Sequence, residues 1–362
     1  MKQRFEALDA FRGLCALSVV LFHLRVVGSV TEFDFFRGSA IFVEFFFVLS
    51  GFVLAHGYGF KEGPSFAVFM KSRFFRLYPL HAFMFFVFVL LELGKLLAHR
   101  FGGFEFNNEP FTNSFGVREI IPNLLLIQSW TPYTQATSFN YPSWSISIEF
   151  YMYAIFYASI VLLKSKRIIF WFVSSLIFFM FIYSGSKVLV EEVLSGVSCF
   201  FGGAFTYVIY KKLYGIKLSY FFGSIVELTL ILCVVLIVQS DMEFRSILAP
   251  QIFFVTVFFF AFESGLISRF LKVWPLQYAG KLSYSIYMTH AAIIFCLIIA
   301  AMVLRKITGI EMAPMIEAKR FLSFGGGITN NVVVIFALLV VIFVSSLTYK
   351  YVELTGQKLN RK

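Results

Sequence analysis

Apolar residues in this chain come in long runs rather than in alternation, and each run is closed by a short polar or basic connection. The runs fall at roughly 8–28, 40–57, 79–98, 146–163, 168–184, 194–210, 219–239, 248–262, 283–303 and 332–350. Most are close to the length that carries a helix across a bilayer. They predict an all-α, polytopic integral membrane protein with about ten transmembrane helices in one domain over residues 1–362. Basic residues gather on alternate connections: Lys2 and Arg4, Lys61 to Arg76, Lys164 to Arg167, Lys211 to Lys217, Arg269 to Lys281, and Lys350 to Lys362. Under the positive-inside rule this bias places both termini in the cytoplasm.

Composition agrees with that reading. Hydrophobic residues make up 59% of the 362 and charged ones 14%, against about 25% charged in soluble domains. The formal charge of +11 is spread over connections, as topology requires, and argues against nucleic acid as a partner. Cys15, Cys199, Cys233 and Cys296 lie inside apolar runs without metal-ligand spacing, so they read as packing residues and no metal is expected. The first run lacks a small-residue cleavage site and carries Asp9 and Arg12, so it reads as a first span and not as a leader.

That first run, LDAFRGLCALSVVLFH, holds three ionisable groups. Arg12 and His23 are eleven positions apart, about 1100° of helical turn, which puts both on one face and about 16 Å apart along the axis. Asp9 stands three positions before Arg12, at pairing distance on that face. Such groups inside a span either face a partner or a wet path, or snorkel to the headgroups. In the second run, IFVEFFFVLSGFVLAHG, Ser50-Gly51 is a small pair suited to close helix approach, and Glu44 reads as an interfacial group near the outer end. Arg73 and Arg76 in FAVFMKSRFFRLYPLH share one helical side, with Pro79 opening the third span. They serve either as topology determinants or as a guanidinium pair for a phosphorylated ligand.

The connection 99–145 holds Asn107, Asn108, Asn113 and Asn140 and several prolines. Within it, 117–130 is apolar but too short to span, and predicts a re-entrant or interfacial helix. Such a cap would either bind a sugar or serve only as a lid. In FNYPSWSISIEFYMY, Ser145 and Glu149 lie on one face, while Trp144 and the tyrosines also suit an aromatic belt. Glu149 needs a partner from another helix, and Arg12 and His23 are the candidates. In YAGKLSYSIYMTH, Tyr287 and His290 are three apart, a spacing that allows both to line one cavity.

LDAFRG…H, FFVLSGF, RFFRLYP, PSWSISIEFYMY and LSYSIYMTH, in that order, resemble the membrane acyltransferase-3 family from residue 8 to about 350. The resemblance implies a ten-helix enzyme that moves an acyl group, usually acetyl, from cytoplasmic acyl-CoA to a hydroxyl. The acceptor implied is a cell-surface or exported glycan, or another carbohydrate or small molecule, and the location a bacterial cytoplasmic membrane. It assigns the family's Arg and His to Arg12 and His23, the CoA-side basic pair to Arg73 and Arg76, and the Trp-Ser-Glu signature to Trp144, Ser145 and Glu149. The chain departs at its end, where Glu353-Leu354-Thr355 stands for the usual Glu-x-Pro, and no SGNH-type esterase domain is expected beyond the membrane part.

In the mechanism this implies, Arg73 and Arg76 bind the CoA phosphates and His23 is general base or nucleophile. Glu149 orients the imidazole and Arg12 stabilises charge on the thioester oxygen. Asp9, Trp144, Ser145, Tyr287 and His290 complete the candidate site. The competing reading is a transporter or flippase for a lipid-linked or anionic solute, with Arg12, His23 and Glu149 as a proton relay. No inverted repeat supports it.

Overall fold

The computed structural model describes residues 4–103, 106, 108–317 and 319–360; Lys2, Asn107, Arg361 and Lys362 lie outside them. Ten long helices organise the described residues: α1 Glu6–His23, α2 Phe42–Tyr58, α3 Phe66–Gly102, α4 Ser143–Leu163, α5 Arg167–Tyr183, α6 Glu191–Leu213, α7 Tyr220–Val238, α8 Arg245–Phe260, α9 Trp274–Thr308 and α10 Gly327–Thr348. Each predicted span overlaps one of them. Seven helical stretches are long and apolar enough to cross a membrane, with α4 and α5 forming a single stretch, Ser143–Tyr183, joined through Lys164–Lys166. The chain is an all-α membrane protein. α8 is apolar but shorter, and α1 carries Glu6, Asp9 and Arg12 in its first two turns.

Two boundaries differ from expectation. The first helix ends at His23 and not near residue 28, because Leu24 turns extended and Val26 pairs in a parallel bridge with Leu322. The β-branched Val26-Val27 pair before Gly28 favours that extended exit. Pro79 lies inside a helix instead of opening one. α3 starts thirteen residues earlier, capped by the Ser65 side chain on the Val68 N–H. Pro79 leaves the Phe75 carbonyl without its helical donor, and nearby the Tyr284 hydroxyl of α9 bonds the Leu77 carbonyl at 2.7 Å.

Two helix crossings depend on glycine. A Cβ on Gly13 would overlap the backbone of Gly280, and one on Gly280 would overlap the Asp9 carbonyl, so α1 and α9 pack backbone to backbone. Gly51 meets the Phe200 carbonyl in the same way, and Gly203 the Val48 carbonyl, which locks α2 to α6. Ser50-Gly51 is indeed a close-approach pair, but Ser50 also has another role, described below.

The basic connections converge on one end of the bundle. There Arg167 donates to the Gly59 carbonyl at 2.9 Å, Lys211 sits over the Phe60 ring, and Lys272 pairs with Glu263 at 2.5 Å and Glu6 at 3.7 Å. The opposite end is closed by the connection between α3 and α4. Its stretch 117–130 forms two short helical turns, Val117–Glu119 and Ile120–Leu124, followed by turns, instead of one interfacial helix. Polar groups explain the difference. Glu119, Asn123, Gln128 and Ser129 are buried and bond across it: Asn123 to Ser138 at 2.7 Å, Gln128 to Ser143 at 3.3 Å, and His81 of α3 to the Asn123 carbonyl at 2.9 Å. The connection thereby fixes where α4 begins, and with it Trp144, Ser145 and Glu149.

Candidate active site

Five helices turn polar groups into one internal cavity of about 100 Å³. α1 contributes Arg12, α2 Ser50, α3 Arg73 and Arg76, α4 Ser145, Glu149 and Tyr153, and α9 Ser283, Tyr284 and Tyr287. The walls between them are apolar, among them Phe46, Phe47 and Leu49. Of the predicted site residues, Arg12, Arg73, Arg76, Ser145, Glu149 and Tyr287 therefore share a single space.

Glu149 is held by hydroxyls. Ser50 donates to its Oε1 at 2.5 Å and Tyr153 donates to the same oxygen, with the two hydroxyls 3.2 Å apart. The expected partnership of Glu149 with His23 is not formed, since His23 stands about three turns up α1 from the level of Arg12. Asp9 also departs from expectation: it accepts from Arg4 Nε at 2.7 Å at the helix entrance instead of pairing with Arg12. Arg4 precedes the helix and is free to fold back, while Arg12 is drawn into the cavity.

Among the described residues, none of Arg12, Arg73 and Arg76 is in an ion pair with a carboxylate. Arg73 lies 5.7–5.9 Å from the Tyr58, Phe69 and Tyr153 rings, an aromatic box suited to guanidinium, and its Nε has no hydrogen-bond partner among the described residues. Arg73 and Arg76 also line a second space of about 260 Å³ with Ser72, Gln357 and Lys358, at the basic end. The two guanidiniums thus stand between an outer polar pocket and the inner cavity. Behind them Glu353 is buried in the helical turn Tyr349–Glu353 and accepts from Ser285 at 3.1 Å and Gln357 at 3.2 Å.

At the far end of the cavity Ser145 donates to the Tyr287 hydroxyl at 3.0 Å. One turn further along α9 lies His290. Its ring stacks on His23 at 5.3 Å and 29°, and Tyr141 packs against both, 4.4 Å from His23 and 5.6 Å from His290. His23 and His290 do not line the arginine cavity; the Tyr287 ring, 6.0 Å from His290, stands between. Trp144 faces elsewhere. It packs on Phe47 at 6.1 Å and lines a cavity of about 510 Å³ at the opposite end with Glu44, Glu191, Glu243 and Arg245. Glu44 there accepts from Ser195 of α6 at 3.3 Å, a neighbouring helix in place of the interfacial groups expected.

Ser50, Tyr153, Tyr284, Tyr141 and Glu353 belong to this arrangement but were not among the predicted site residues. Tyr153 follows Glu149 by four positions, the spacing that places two side chains on one face, so it had a local signal. Tyr141 and Tyr284 gain their meaning only from contacts between elements distant in sequence.

Residues 5–350 match the family model for the acyltransferase domain of the acyltransferase-3 family. The chain belongs to that family of membrane acyltransferases. Two relatives are similar to it in part. Acyltransferase MdmB of Streptomyces mycarofaciens is 33% identical over 162 residues, 42% of this chain and 38% of its own length. Protein 2 in the picA locus of Rhizobium radiobacter is 46% identical over 88 residues, 22% of this chain and 41% of its own length. The matched stretches thus span about two fifths of either relative. No solved structure matches the chain.

Proposed function

We propose that this protein transfers an acyl group, acetyl in the first instance, from acyl-CoA to a hydroxyl of a carbohydrate or small-molecule acceptor, within the bacterial cytoplasmic membrane. The observation that carries this is the placement of Arg73 and Arg76 between two spaces, with no carboxylate paired to either among the described residues. Unpaired guanidiniums deep in a membrane protein call for an anion, and the fork geometry of arginine suits phosphate. In this reading ten helices span, both termini face the cytoplasm, and the phosphates of CoA lie at the basic end. A slender chain fits the narrow cavity beyond, with Arg12 beside its length and Tyr287 at its end.

The acceptor hydroxyl loses its proton to the imidazole pair His23 and His290 while its oxygen attacks the thioester carbonyl carbon. The carbon–sulfur bond breaks, and the sulfur leaves with the electron pair and finally takes up the proton. Arg12, about three turns from His23 along α1, lines the passage of the donor chain through the cavity and not the point of attack at the imidazole pair. Glu149, fixed by Ser50 and Tyr153, keeps the cavity from holding cations alone. The family membership and the printed name of the first relative support acyl transfer as the reaction class.

The test is release of free CoA from acetyl-CoA by purified protein in nanodiscs, with and without an alcohol such as a neutral disaccharide. Acceptor-dependent release that is lost in Arg73→Ala/Arg76→Ala supports the reading. Transport of unmodified solute into vesicles, with acetyl-CoA left intact, overturns it in favour of a transporter.

A further inference from the structure

Resting on the acyltransferase reading, we infer that His290, and not His23, is the base that takes the proton from the acceptor hydroxyl, with its Nε2 as the receiving atom. A general base needs a free lone pair on one ring nitrogen, and a hydrogen bond on the other that holds the ring and fixes the tautomer. His290 meets both conditions. Its Nδ1 lies 3.3 Å from the Ile286 carbonyl oxygen. A carbonyl only accepts, so Nδ1 carries the proton and Nε2 carries the lone pair. That Nε2 is buried and has no hydrogen-bond partner, in a residue that is 0% exposed. A buried polar atom left without a partner among the described residues is unusual enough to require a reason.

His23 meets only the first condition: one of its nitrogens has a free lone pair in either tautomer, but no hydrogen bond from the described residues holds the ring. Among the described residues its ring makes only ring contacts, with Phe22, Tyr141 and His290, and nothing selects its tautomer. Partly buried and stacked on the fully buried His290, it is placed to hold the acceptor and the ring beneath it. The titratable and charged groups facing the pair are Tyr141 from the connection before α4, Tyr287 on α9, and Arg25 and Arg37 on the His23 side. No carboxylate bonds either imidazole among the described residues. In the transfer step the acceptor O–H proton passes to His290 Nε2, and the oxygen bonds to the acyl carbon. The carbon–sulfur bond breaks, and the proton ends on the CoA sulfur.

His290→Asn separates the two roles of the ring, since the asparagine amide can still donate near the position of Nδ1 but offers nothing at Nε2. For a base, kcat falls by about a hundredfold or more, the acid limb of the kcat/KM profile disappears, and acyl-CoA affinity stays within twofold. His23→Asn is expected to lower kcat by less than about tenfold and to keep the acid limb. His290→Asn with kcat within threefold of wild type overturns the proposal, as does an acid limb that vanishes only in His23→Asn. Wild-type protein that releases no CoA with any alcohol overturns the acyltransferase reading and this inference together, a result distinct from either. A measurement on unmutated protein avoids any folding defect: histidine-selective ¹⁵N NMR in nanodiscs. The proton of neutral His290 on Nδ1 supports the assignment, and the proton on Nε2 refutes it.

Discussion

Gly13 of α1 and Gly280 of α9 face each other so closely that a Cβ on the first would come within 2.4 Å of the second's backbone nitrogen. This contact sets the height of both helices, and ten residues further along each of them stand His23 and His290, ring on ring at 5.3 Å. Overpacking a core costs about 1–3 kcal/mol where side chains can yield, and here the obstacle is backbone. Gly280→Val is therefore expected to lower the thermal midpoint by several degrees and to abolish turnover, whereas Gly94→Ala on α3, where a Cβ meets nothing within 4 Å, should leave turnover unchanged. Differential scanning fluorimetry in detergent beside a CoA-release assay checks this.

The arginine pair makes a sharper prediction. Loss of a charge-assisted hydrogen bond amounts to about 1.5–3 kcal/mol, so Arg73→Ala/Arg76→Ala should raise the Kd for acyl-CoA by more than tenfold and leave the midpoint near wild type. Arg73→Lys should recover little, because an ammonium cannot reproduce the fork or its seat among Tyr58, Phe69 and Tyr153. Isothermal titration with CoA itself separates phosphate binding from any effect on the acyl end.

Ser50, Tyr153 and Glu149 should behave as one unit. Ser50→Ala and Tyr153→Phe each remove a donor to the same carboxylate oxygen, so a double-mutant cycle should show coupling of about 0.5–3 kcal/mol. Additive midpoint shifts in the cycle would mean that the two hydroxyls act independently.

Glu92 and Lys95 of α3 form a buried pair at 3.0 Å, with Glu92 also accepting from the Phe111 N–H at 3.1 Å. Removing one partner leaves a buried charge uncompensated, at a cost of about 3–5 kcal/mol. Lys95→Met is thus expected to be far more damaging to the midpoint than Glu92→Leu/Lys95→Met, in which both charges are gone.

Asp9→Asn should do almost nothing to turnover. Its partner Arg4 is largely exposed at the helix entrance, and such pairs contribute at most about 1 kcal/mol. A loss of acyl-CoA binding in Asp9→Asn, read by titration, would restore Asp9 to the cavity.

Much of this was legible locally. Long apolar runs located every long helix, and the three-residue spacing of Arg73 and Arg76 and the four-residue spacing of Ser145 and Glu149 carried each pair into one cavity. The family motifs named Arg12 for the same space. What failed were statements about partners. Asp9 had two arginines within reach along the chain, and spacing favoured the wrong one because the cavity draws Arg12 inward. Glu149 was matched to cations on α1, while hydroxyls from α2 and its own helix were closer. Pro79 read as a helix start because local sequence does not reveal that α9 donates a hydroxyl to a carbonyl two residues before it. His290 looked minor because its orphan nitrogen and its stacking on His23 arise only when α1 and α9 are side by side.

The seat of Arg73 and Arg76 at the mouth of the cavity, and not along it, has an energetic consequence for the proposed reaction. The anionic part of the donor stays anchored at the basic end, and only an uncharged acyl group advances past Tyr287. A charge moved across the membrane field would feel about 2.3 kcal/mol per 100 mV, but a neutral group feels none. Turnover in sealed vesicles should then be indifferent to an imposed potential of either sign, so that the proposed transfer would run at the same rate in an energised and a de-energised membrane.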